Sequence, residues 1–315
     1  MSLKRMMDIT RLPNLLIVGI SQYLFFYCLL IPLYNISGVH PSLSSTEFFL
    51  LVLATLLVTL GGYLINDIWD VETDKINKPE KVWVGNLCST SKAMSIYFLV
   101  NLSGIAISIY TAISVGNWKL CLLYPLAAGF LYLYSVYLKQ RALVGNLLVS
   151  LFCGLVFILV LFAEREAWSL AKSQSLEKAN LVYQTFLGFA AFGFLITIIR
   201  ELVKDLEDIE GDSRAGLRTL PIVFGVQASK TLIRFFFWTT VILSIGFIYW
   251  NINVAEWSPW GGIYGVLFLL LPLLFFLQFF EKFGTKETYR KMSLLLKLLM
   301  VFGLLYLPMY RVFIA

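Results

Sequence analysis

Two clusters of acidic residues each follow a long hydrophobic segment of this 315-residue chain. Carboxylates at the edge of such a segment are energetically expensive in a membrane unless cations or a metal ion compensate their charge. Lys and Arg residues follow both clusters, which favours a site for a doubly charged anion held through Mg²⁺. The two sequences are Asn66-Asp67-Ile68-Trp69-Asp70-Val71-Glu72-Thr73-Asp74 and Asp205-Leu206-Glu207-Asp208-Ile209-Glu210-Gly211-Asp212.

The spacing within each cluster predicts a set of ligands that project from one face of a helix. Side chains three and four residues apart stack on the same helical face. Oxygen-only ligands suit a hard cation such as Mg²⁺, which keeps some of its waters and shares phosphate oxygens. The residues with this spacing are Asn66, Asp70 and Asp74 in the first cluster and Asp205, Asp208 and Asp212 in the second.

Basic residues behind the acids supply positive charge for a diphosphate. Lys75, Lys78 and Lys81 follow the first cluster, and Arg214 and Arg218 follow the second. Cations on flexible loops could clamp a diphosphate and stabilise the charge that it gains as a leaving group. A single acidic run is usually a solvated loop, because short motifs have many chance matches. Two runs with helical spacing, each at a membrane boundary, favour a site instead.

The composition is that of a protein with several membrane-spanning helices. Hydrophobic residues make up 59% of the chain and charged residues 14%, whereas soluble domains carry roughly 45–50% and 25%. Apolar runs of about 20 residues, without alternation, predict an all-α fold. We expect about nine transmembrane helices, at 15–34, 47–65, 93–115, 119–138, 143–163, 181–203, 232–250, 260–280 and 293–313.

The distribution of basic residues predicts the orientation in the membrane. With nine spans, 20 of the 25 Lys and Arg residues lie on the side of the N-terminus and five on the other side. Cytoplasmic loops carry the excess of positive charge. We therefore expect an integral protein of the inner or plasma membrane with a cytoplasmic N-terminus and an external C-terminus. Both acidic clusters then face the cytoplasm, and the net charge of +6 gives no reason to propose a nucleic-acid partner.

The remaining features favour one domain without a histidine or cysteine metal site. No linker divides the sequence, so a single transmembrane domain over residues 1–315 is expected. The chain has one histidine, His40, and four cysteines without the spacing of metal ligands. A mechanism that depends on a histidine cluster is therefore excluded.

The two acidic clusters resemble the paired motifs of the UbiA superfamily of intramembrane prenyltransferases. The first motif is Asn66-Asp67-x-x-Asp70-x-x-x-Asp74 followed by Asn77-Lys78-Pro79. The second is Asp208-x-Glu210-Gly211-Asp212 followed by Thr219-Leu220-Pro221 and Gly225. The resemblance implies a UbiA-like helical bundle with an active-site cavity that faces the cytoplasm.

The resemblance also implies a reaction and the residues that perform it. A polyprenyl diphosphate binds through Mg²⁺, diphosphate leaves, and an acceptor attacks the allylic carbon C1. Asp70, Asp208 and Lys139 are the expected catalytic residues. The metal ligands carried over by position are Asn66, Asp70, Asp74, Asp208 and Asp212.

Further residues are expected to bind the diphosphate or the acceptor. The family has a Tyr-x-x-x-Lys pair after the fourth helix, whereas this chain places Ser135 four residues before Lys139. Either nearby tyrosine could line the site or belong to the interfacial aromatic belt. The expected substrate-binding residues are Asn14, Asp67, Lys75, Lys78, Lys81, Tyr134, Tyr137, Lys204, Asp205 and Arg218.

The sequence leaves the acceptor open between two chemical classes. The segments that begin at Asp74 and Ala215 most resemble the geranylgeranylglyceryl phosphate branch, which makes a glycerophosphate lipid the expected acceptor and geranylgeranyl the expected prenyl group. An aromatic acceptor of quinone biosynthesis, such as 4-hydroxybenzoate or dihydroxynaphthoate, is the alternative. A cation transporter with acids along its ion path is an alternative of another class.

Overall fold

The computed structural model describes residues 3–253, 259–282 and 284–309, and within them every regular element is a helix. Nine of the described helices are long and apolar enough to cross a membrane. They are α1 (Leu12–Ser37), α2 (Ser45–Trp69), α3 (Thr90–Ser114), α4 (Lys119–Val136), α5 (Val144–Ala163), α6 (Leu176–Glu207), α7 (Leu220–Trp250), α8 (Trp260–Phe280) and α9 (Lys286–Met309).

Each predicted span coincides with one of these helices, so the predicted all-α membrane fold is confirmed. The predicted ends differ most where polar residues continue a helix beyond its apolar run. Helix α6 reaches Glu207, whereas the prediction ended it at 203, and α7 begins at Leu220, well before 232. Gly225 interrupts α7 with a φ of 85°, a value that glycine adopts readily. The last residues of the predicted ninth span lie outside the described residues.

Local signals in the sequence define the start of α2, the helix that carries the first motif. The Ser44 hydroxyl accepts a hydrogen bond from the Glu47 backbone N–H (3.3 Å), and the Glu47 carboxylate accepts one from the Ser44 N–H (2.8 Å). This capping box satisfies two backbone donors that a helix start would otherwise leave unpaired. It therefore fixes the start of α2, a helix of 25 residues that ends at Trp69.

The chain forms two compact units, and the first contains most of the two motifs. It comprises Met1–Ile20, Ser42–Gly145 and Glu210–Arg218. Helices α2, α3 and α4 pack against one another in it. The last turns of α2 are anchored by a buried cluster, so the position of the first motif depends on this packing. The cluster consists of Leu64, Ile65, Ile68, Trp83, Val84, Ala93 and Tyr97.

The second unit comprises Ser21–Pro41, Asn146–Ile209 and Thr219–Ala315. Helix α6 packs against α7 and α9 in it. Four aromatic rings form part of its core, because Phe25 lies with its ring centroid 4.9, 4.7 and 5.3 Å from three others. These are the rings of Phe157, Phe186 and Phe189. The expectation of a single domain over residues 1–315 stays a prediction.

Candidate functional site

The first acidic motif lies where α2 ends and a short helix, Val71–Asn77, begins. Asp70 separates the two helices with a φ of −91° and a ψ of 2°. The expectation of one uninterrupted helix through the motif is therefore wrong. Backbone hydrogen bonds between residues four positions apart nevertheless continue across this break. The Asp70 N–H donates to the Asn66 carbonyl (2.9 Å), and the Asp74 N–H donates to the Asp70 carbonyl (2.8 Å).

Asp70 lies at the centre of the polar contacts in this motif. Asn66 Nδ2 donates a hydrogen bond to Asp70 Oδ2 (2.7 Å), and Lys139 forms an ion pair with Asp70 Oδ1. Both charged side chains are largely buried, with exposures of 12% for Lys139 and 16% for Asp70. Lys139 belongs to a short 3₁₀ turn, Leu138–Gln140, that follows α4. The structure thus brings together three of the predicted site residues.

Asp67 has a different set of partners in the same unit. Its Oδ1 accepts a hydrogen bond from Arg11 Nη2 (2.6 Å), and its Oδ2 accepts one from Trp83 Nε1 (2.8 Å). The Arg11 guanidinium also lies 4.8 Å from the centroid of the Tyr63 ring. With both oxygens engaged by protein donors, Asp67 holds the last turn of α2 in place. Its predicted contact with substrate stays a prediction.

The segment Glu210–Arg218 of the second motif contacts the first motif within the first unit. Asn77 Oδ1 accepts a hydrogen bond from the Gly211 backbone N–H (3.0 Å). This N–H lies in the first turn of the short helix Ile209–Arg214, where backbone donors have no partner within the helix. A side chain at position 211 would bring its Cβ within 2.4 Å of the Asn77 side chain. Gly211 therefore permits the close approach.

Asp212 and Arg218 are positioned by the same segment. Asp212 is 7% exposed, and its carbonyl accepts a hydrogen bond from the Leu217 N–H (2.9 Å). The Arg218 N–H donates to the Gln140 carbonyl (3.2 Å), next to Lys139. The Arg218 side chain is exposed. Asp212 thus shares the first unit with Asn66, Asp70 and Asp74.

The donor chemistry of this unit fits Mg²⁺ that is shared with phosphate. Among the described residues, no group of three or more His, Cys, Asp or Glu side chains is arranged to hold a metal ion. Mg²⁺ in phosphate-transfer sites is usually held by only one or two carboxylates together with substrate phosphates and water. Because Asn66 donates through Nδ2, its Oδ1 also remains as an oxygen acceptor. The protein therefore need not supply every ligand of the Mg²⁺ ion here.

The acids of α6 belong to the second unit. Asn146 Nδ2 donates a hydrogen bond to Asp205 Oδ2 (2.9 Å). Helix α6 ends at Glu207, and Asp208 has a φ of −101° and a ψ of 7°. The expectation of one helical face through Asp205, Asp208 and Asp212 is therefore wrong, because the regular helix ends between the first and the last of these residues.

A second ionic group lies one turn earlier on α6. Glu201 forms ion pairs with Arg200 (2.7 Å) and Lys204 (2.9 Å). The side-chain exposures are 14% for Arg200, 11% for Glu201 and 31% for Lys204. Of these three, the sequence predicted only Lys204 as a site residue. The sequence could have indicated Arg200 and Glu201, because they lie inside an apolar segment, where ionisable residues are rare.

The remaining predicted residues differ in their exposure. Asn14 and Lys78 are half-buried, and Lys75 is exposed and pairs with Glu72 (2.7 Å). The Lys81 side chain lies outside the described part of the chain. Tyr137 is 60% exposed.

Tyr134 is the predicted tyrosine that packs near Lys139. A Cβ on Gly145 would lie 3.1 Å from the Tyr134 ring and 2.8 Å from the Lys139 Cα. Tyr134 is therefore close to the turn that carries Lys139, whereas Tyr137 is mostly exposed. This arrangement favours Tyr134 over Tyr137 as the tyrosine of the site.

Sequence reasoning missed several residues that contact predicted site residues within the same unit. Trp83 and Asn146 each hold a motif carboxylate, and Glu201 joins two cations. Trp83 contacts a residue 16 positions away and Asn146 one 59 positions away. No local pattern in the sequence indicates such partners.

In the described part of the chain, these features define a helical membrane protein whose first unit brings carboxylates and cations together at the end of α2. The profile described as the UbiA prenyltransferase family matches residues 24–302. This chain belongs to that family, whose members are enzymes. The predicted prenyltransferase class is confirmed, and a cation transporter does not agree with it.

Individual relatives agree with this assignment. A digeranylgeranylglyceryl phosphate synthase of Methanoculleus marisnigri is 33% identical over 231 residues, covering 72% of this chain and 71% of the relative. A solved structure from work on digeranylgeranylglyceryl phosphate synthase has a TM-score of 0.63 at 23% identity, with 98% of both chains covered. A UbiA homologue from Archaeoglobus fulgidus bound to DMAPP and Mg²⁺ has a TM-score of 0.58 at 15% identity, covering 96% of this chain and 98% of the homologue. The two structural likenesses establish the shared fold.

Proposed function

We propose that this protein transfers a geranylgeranyl group from its diphosphate to a glycerophosphate lipid with the help of Mg²⁺. The observation that carries the proposal is the largely buried ion pair of Asp70 and Lys139 beside Asn66. A carboxylate, an amide oxygen and a cation at the end of a membrane helix are the groups that a metal-bound diphosphate requires.

The residues proposed to hold Mg²⁺ combine both motifs. When bound, Mg²⁺ supplies positive charge that neutralises the diphosphate as the bond between C1 and oxygen breaks. Asn66, Asp70, Asp74 and Asp212 belong to the first unit. Asp208 is proposed for the same role on the resemblance of its motif. Support for the cation comes from the Archaeoglobus fulgidus homologue, which is bound to Mg²⁺ together with DMAPP.

The side chains of this protein would contribute to the reaction in distinct ways. Diphosphate leaves with the electron pair of the broken bond, and the Lys139 ammonium stabilises the developing negative charge. An acceptor hydroxyl oxygen then forms a bond to C1, and its proton passes to the departed diphosphate. Lys75, Lys78 and Arg218 are proposed as further contacts to the phosphates.

The proposed acceptor is supported by the curated relatives. The Methanoculleus marisnigri relative is named a digeranylgeranylglyceryl phosphate synthase, as are other relatives of about 30% identity. The acceptor implied by that name carries a phosphate, and 20 of the 25 Lys and Arg residues of this chain lie on the predicted cytoplasmic side. On the same charge distribution we propose a cytoplasmic N-terminus.

The test is an acceptor screen with one donor. Purified protein in lipid nanodiscs receives radiolabelled geranylgeranyl diphosphate and Mg²⁺ with geranylgeranylglyceryl phosphate, 4-hydroxybenzoate or dihydroxynaphthoate in separate reactions. We expect prenylated product with the glycerophosphate acceptor alone. Product with an aromatic acceptor would reassign the chain to that branch, and omission of Mg²⁺ should abolish the reaction.

Site variants test whether the activity measured in the screen depends on the proposed residues. Asp70→Asn and Asp208→Asn should each lower the rate by at least about 100-fold, because each removes a charge that the bound cation needs. Glu287→Gln is the matched control, since Glu287 and its partner Lys291 are each 75% exposed. Full activity in either aspartate variant would show that the site assignment is wrong.

A further inference from the structure

The first residues of α7 expose apolar side chains that lie outside its long apolar stretch. Val223, Phe224 and Val226 are 40%, 64% and 42% exposed. They precede the mostly polar residues 227–231 and therefore lie outside the stretch 232–250, which the sequence predicts as the seventh span. Neighbouring apolar side chains that remain exposed often mark a surface that contacts a partner or a membrane.

The rest of α7 shows which side of the helix faces lipid. Its exposed apolar side chains recur every three or four residues, which places them on one face of the helix. Lipid tails are as apolar as such side chains, so the exposed apolar face of a membrane-spanning helix contacts lipid. The exposed side chains are Phe235, Trp238, Ile242 and Ile245.

The length of α7 determines where each part lies relative to the membrane. At about 1.5 Å per residue, the apolar stretch 232–250 is about 28 Å long, which matches a hydrocarbon core of about 30 Å. Residues 227–231 then lie at the level of the lipid headgroups. In a straight helix, Phe224 would lie about 12 Å beyond the hydrocarbon, with its ring exposed to water.

The backbone of α7 is not straight at this point. Gly225 has a φ of 85° and a ψ of 161°, a conformation that glycine adopts readily and that interrupts a helix. Before it, the Thr219 carbonyl accepts hydrogen bonds from the N–H groups of Ile222 and Val223, both at 3.1 Å. Leu220 in this separate turn is 6% exposed. The turn thus packs by one side, leaves its apolar end exposed and does not continue the axis of α7.

We propose that Val223, Phe224 and Val226 insert into the membrane interface and anchor the start of α7 to the bilayer. Side chains of this size and exposure offer about 250 Å² together, whereas a stable protein interface buries about 800 Å² on each partner. A lipid surface therefore fits this patch, which lies on the same helix as the lipid-facing side chains of α7. The segment with the second motif ends at Arg218, so the anchor holds the chain at the membrane surface directly after that motif.

Site-directed spin labelling measures the depth of these side chains in the bilayer. The full chain, with its four cysteines replaced, carries one label at Phe224→Cys or Val226→Cys in nanodiscs of phosphatidylcholine and phosphatidylglycerol. Oxygen concentrates in hydrocarbon, whereas the nickel complex NiEDDA stays in water, so the two collision rates together report depth. We expect both labels about 5–10 Å below the level of the headgroups.

Reference positions and one pair of variants calibrate the measurement. Ile242→Cys is the lipid reference, because Ile242 is 70% exposed within the apolar stretch of α7. Ser213→Cys is the reference for water, because Ser213 is exposed outside the membrane-spanning helices. Phe224→Ser should shift a label at position 226 toward water, since it removes apolar area from the anchor. Phe224→Leu keeps an apolar side chain and should leave the depth of that label unchanged.

Three results would overturn the inference. Labels at 224 and 226 that collide with NiEDDA as often as the label at 213 would show that the segment extends into water. Labels shielded from both reagents would show that protein, in this chain or in a second copy, covers the patch. An unchanged depth of the label at 226 in the Phe224→Ser variant would show that Phe224 does not anchor the segment.

Discussion

The close approach of Gly211 to Asn77 provides the sharpest test of how the two motifs are held together in the first unit. Gly211→Ala would place a Cβ 2.4 Å from three Asn77 side-chain atoms, which is far inside ordinary van der Waals contact. The Asn77 side chain is buried, with 7% exposure. It cannot move aside without giving up its hydrogen bond to the Gly211 N–H (3.0 Å).

The size of the effect follows from these two contacts. Overpacking of a buried site costs about 1–3 kcal/mol, and an unpaired buried N–H costs about 1–3 kcal/mol more. If Glu210–Arg218 must adopt the observed position before diphosphate binds, a cost of about 2 kcal/mol lowers the apparent affinity about 30-fold. The Asp212 carboxylate moves with the same segment.

Calorimetric binding of geranylgeranyl diphosphate in the presence of Mg²⁺ measures this cost directly. Asn77→Ala in the Gly211→Ala background should restore part of the affinity, because it removes the atoms that clash. The hydrogen bond is still lost, so restoration should be incomplete. Ser213 is exposed in the same segment, so Ser213→Ala is the control for an alanine substitution that introduces no clash. Wild-type affinity in Gly211→Ala, or no rescue by Asn77→Ala, would refute the steric argument.

Three other predictions address Lys139, Asp67 and the orientation of the chain. Lys139→Met should lower kcat about 10²- to 10³-fold because the charge beside Asp70 is lost, and Lys139→Arg should recover part of it. Trp83→Phe should lower the unfolding temperature, because Asp67 Oδ2 loses its donor at a cost of about 1–3 kcal/mol. In a cysteine-free background, a membrane-impermeant maleimide should label Ser173→Cys on intact cells and Ser91→Cys only after permeabilisation.

Each of these predictions has a result that contradicts it. An unchanged kcat in Lys139→Met would remove this lysine from the reaction. An unchanged unfolding temperature in Trp83→Phe would mean that Arg11 alone holds Asp67. Labelling of Ser91→Cys on intact cells would reverse the proposed orientation. Unfolding curves for the Lys139 variants would show that their losses do not arise from misfolding.

The spans of this protein could be predicted from sequence because hydropathy reports them directly. Their ends were harder to predict, since polar residues extend helices past the apolar run. Arg200 and Asp205 lie within α6, and α7 begins at Leu220 and continues through the polar residues 227–231 before its long apolar stretch. Hydropathy locates the hydrophobic part of a helix, whereas backbone hydrogen bonds and caps determine its length.

The motif acids could be named from their spacing, but their partners could not. Asp67 and Asp70 have similar local contexts, and only the fold assigns one to Arg11 and the other to Lys139. The contact between Asn77 and Gly211 joins positions 134 residues apart. Such pairs depend on tertiary packing, for which a single sequence contains no periodic signal.

The two cations of the first unit have different consequences for the proposed reaction. Arg11 binds Asp67, whose second oxygen is held by Trp83, so ligand binding would have to break two donor contacts to recruit that carboxylate. Lys139 binds Asp70, and a cation shared with diphosphate can replace the lysine there without leaving the carboxylate uncompensated. The Lys139 ammonium would then be available to the diphosphate. Asp67→Asn should therefore affect stability first, whereas Asp70→Asn should affect catalysis first.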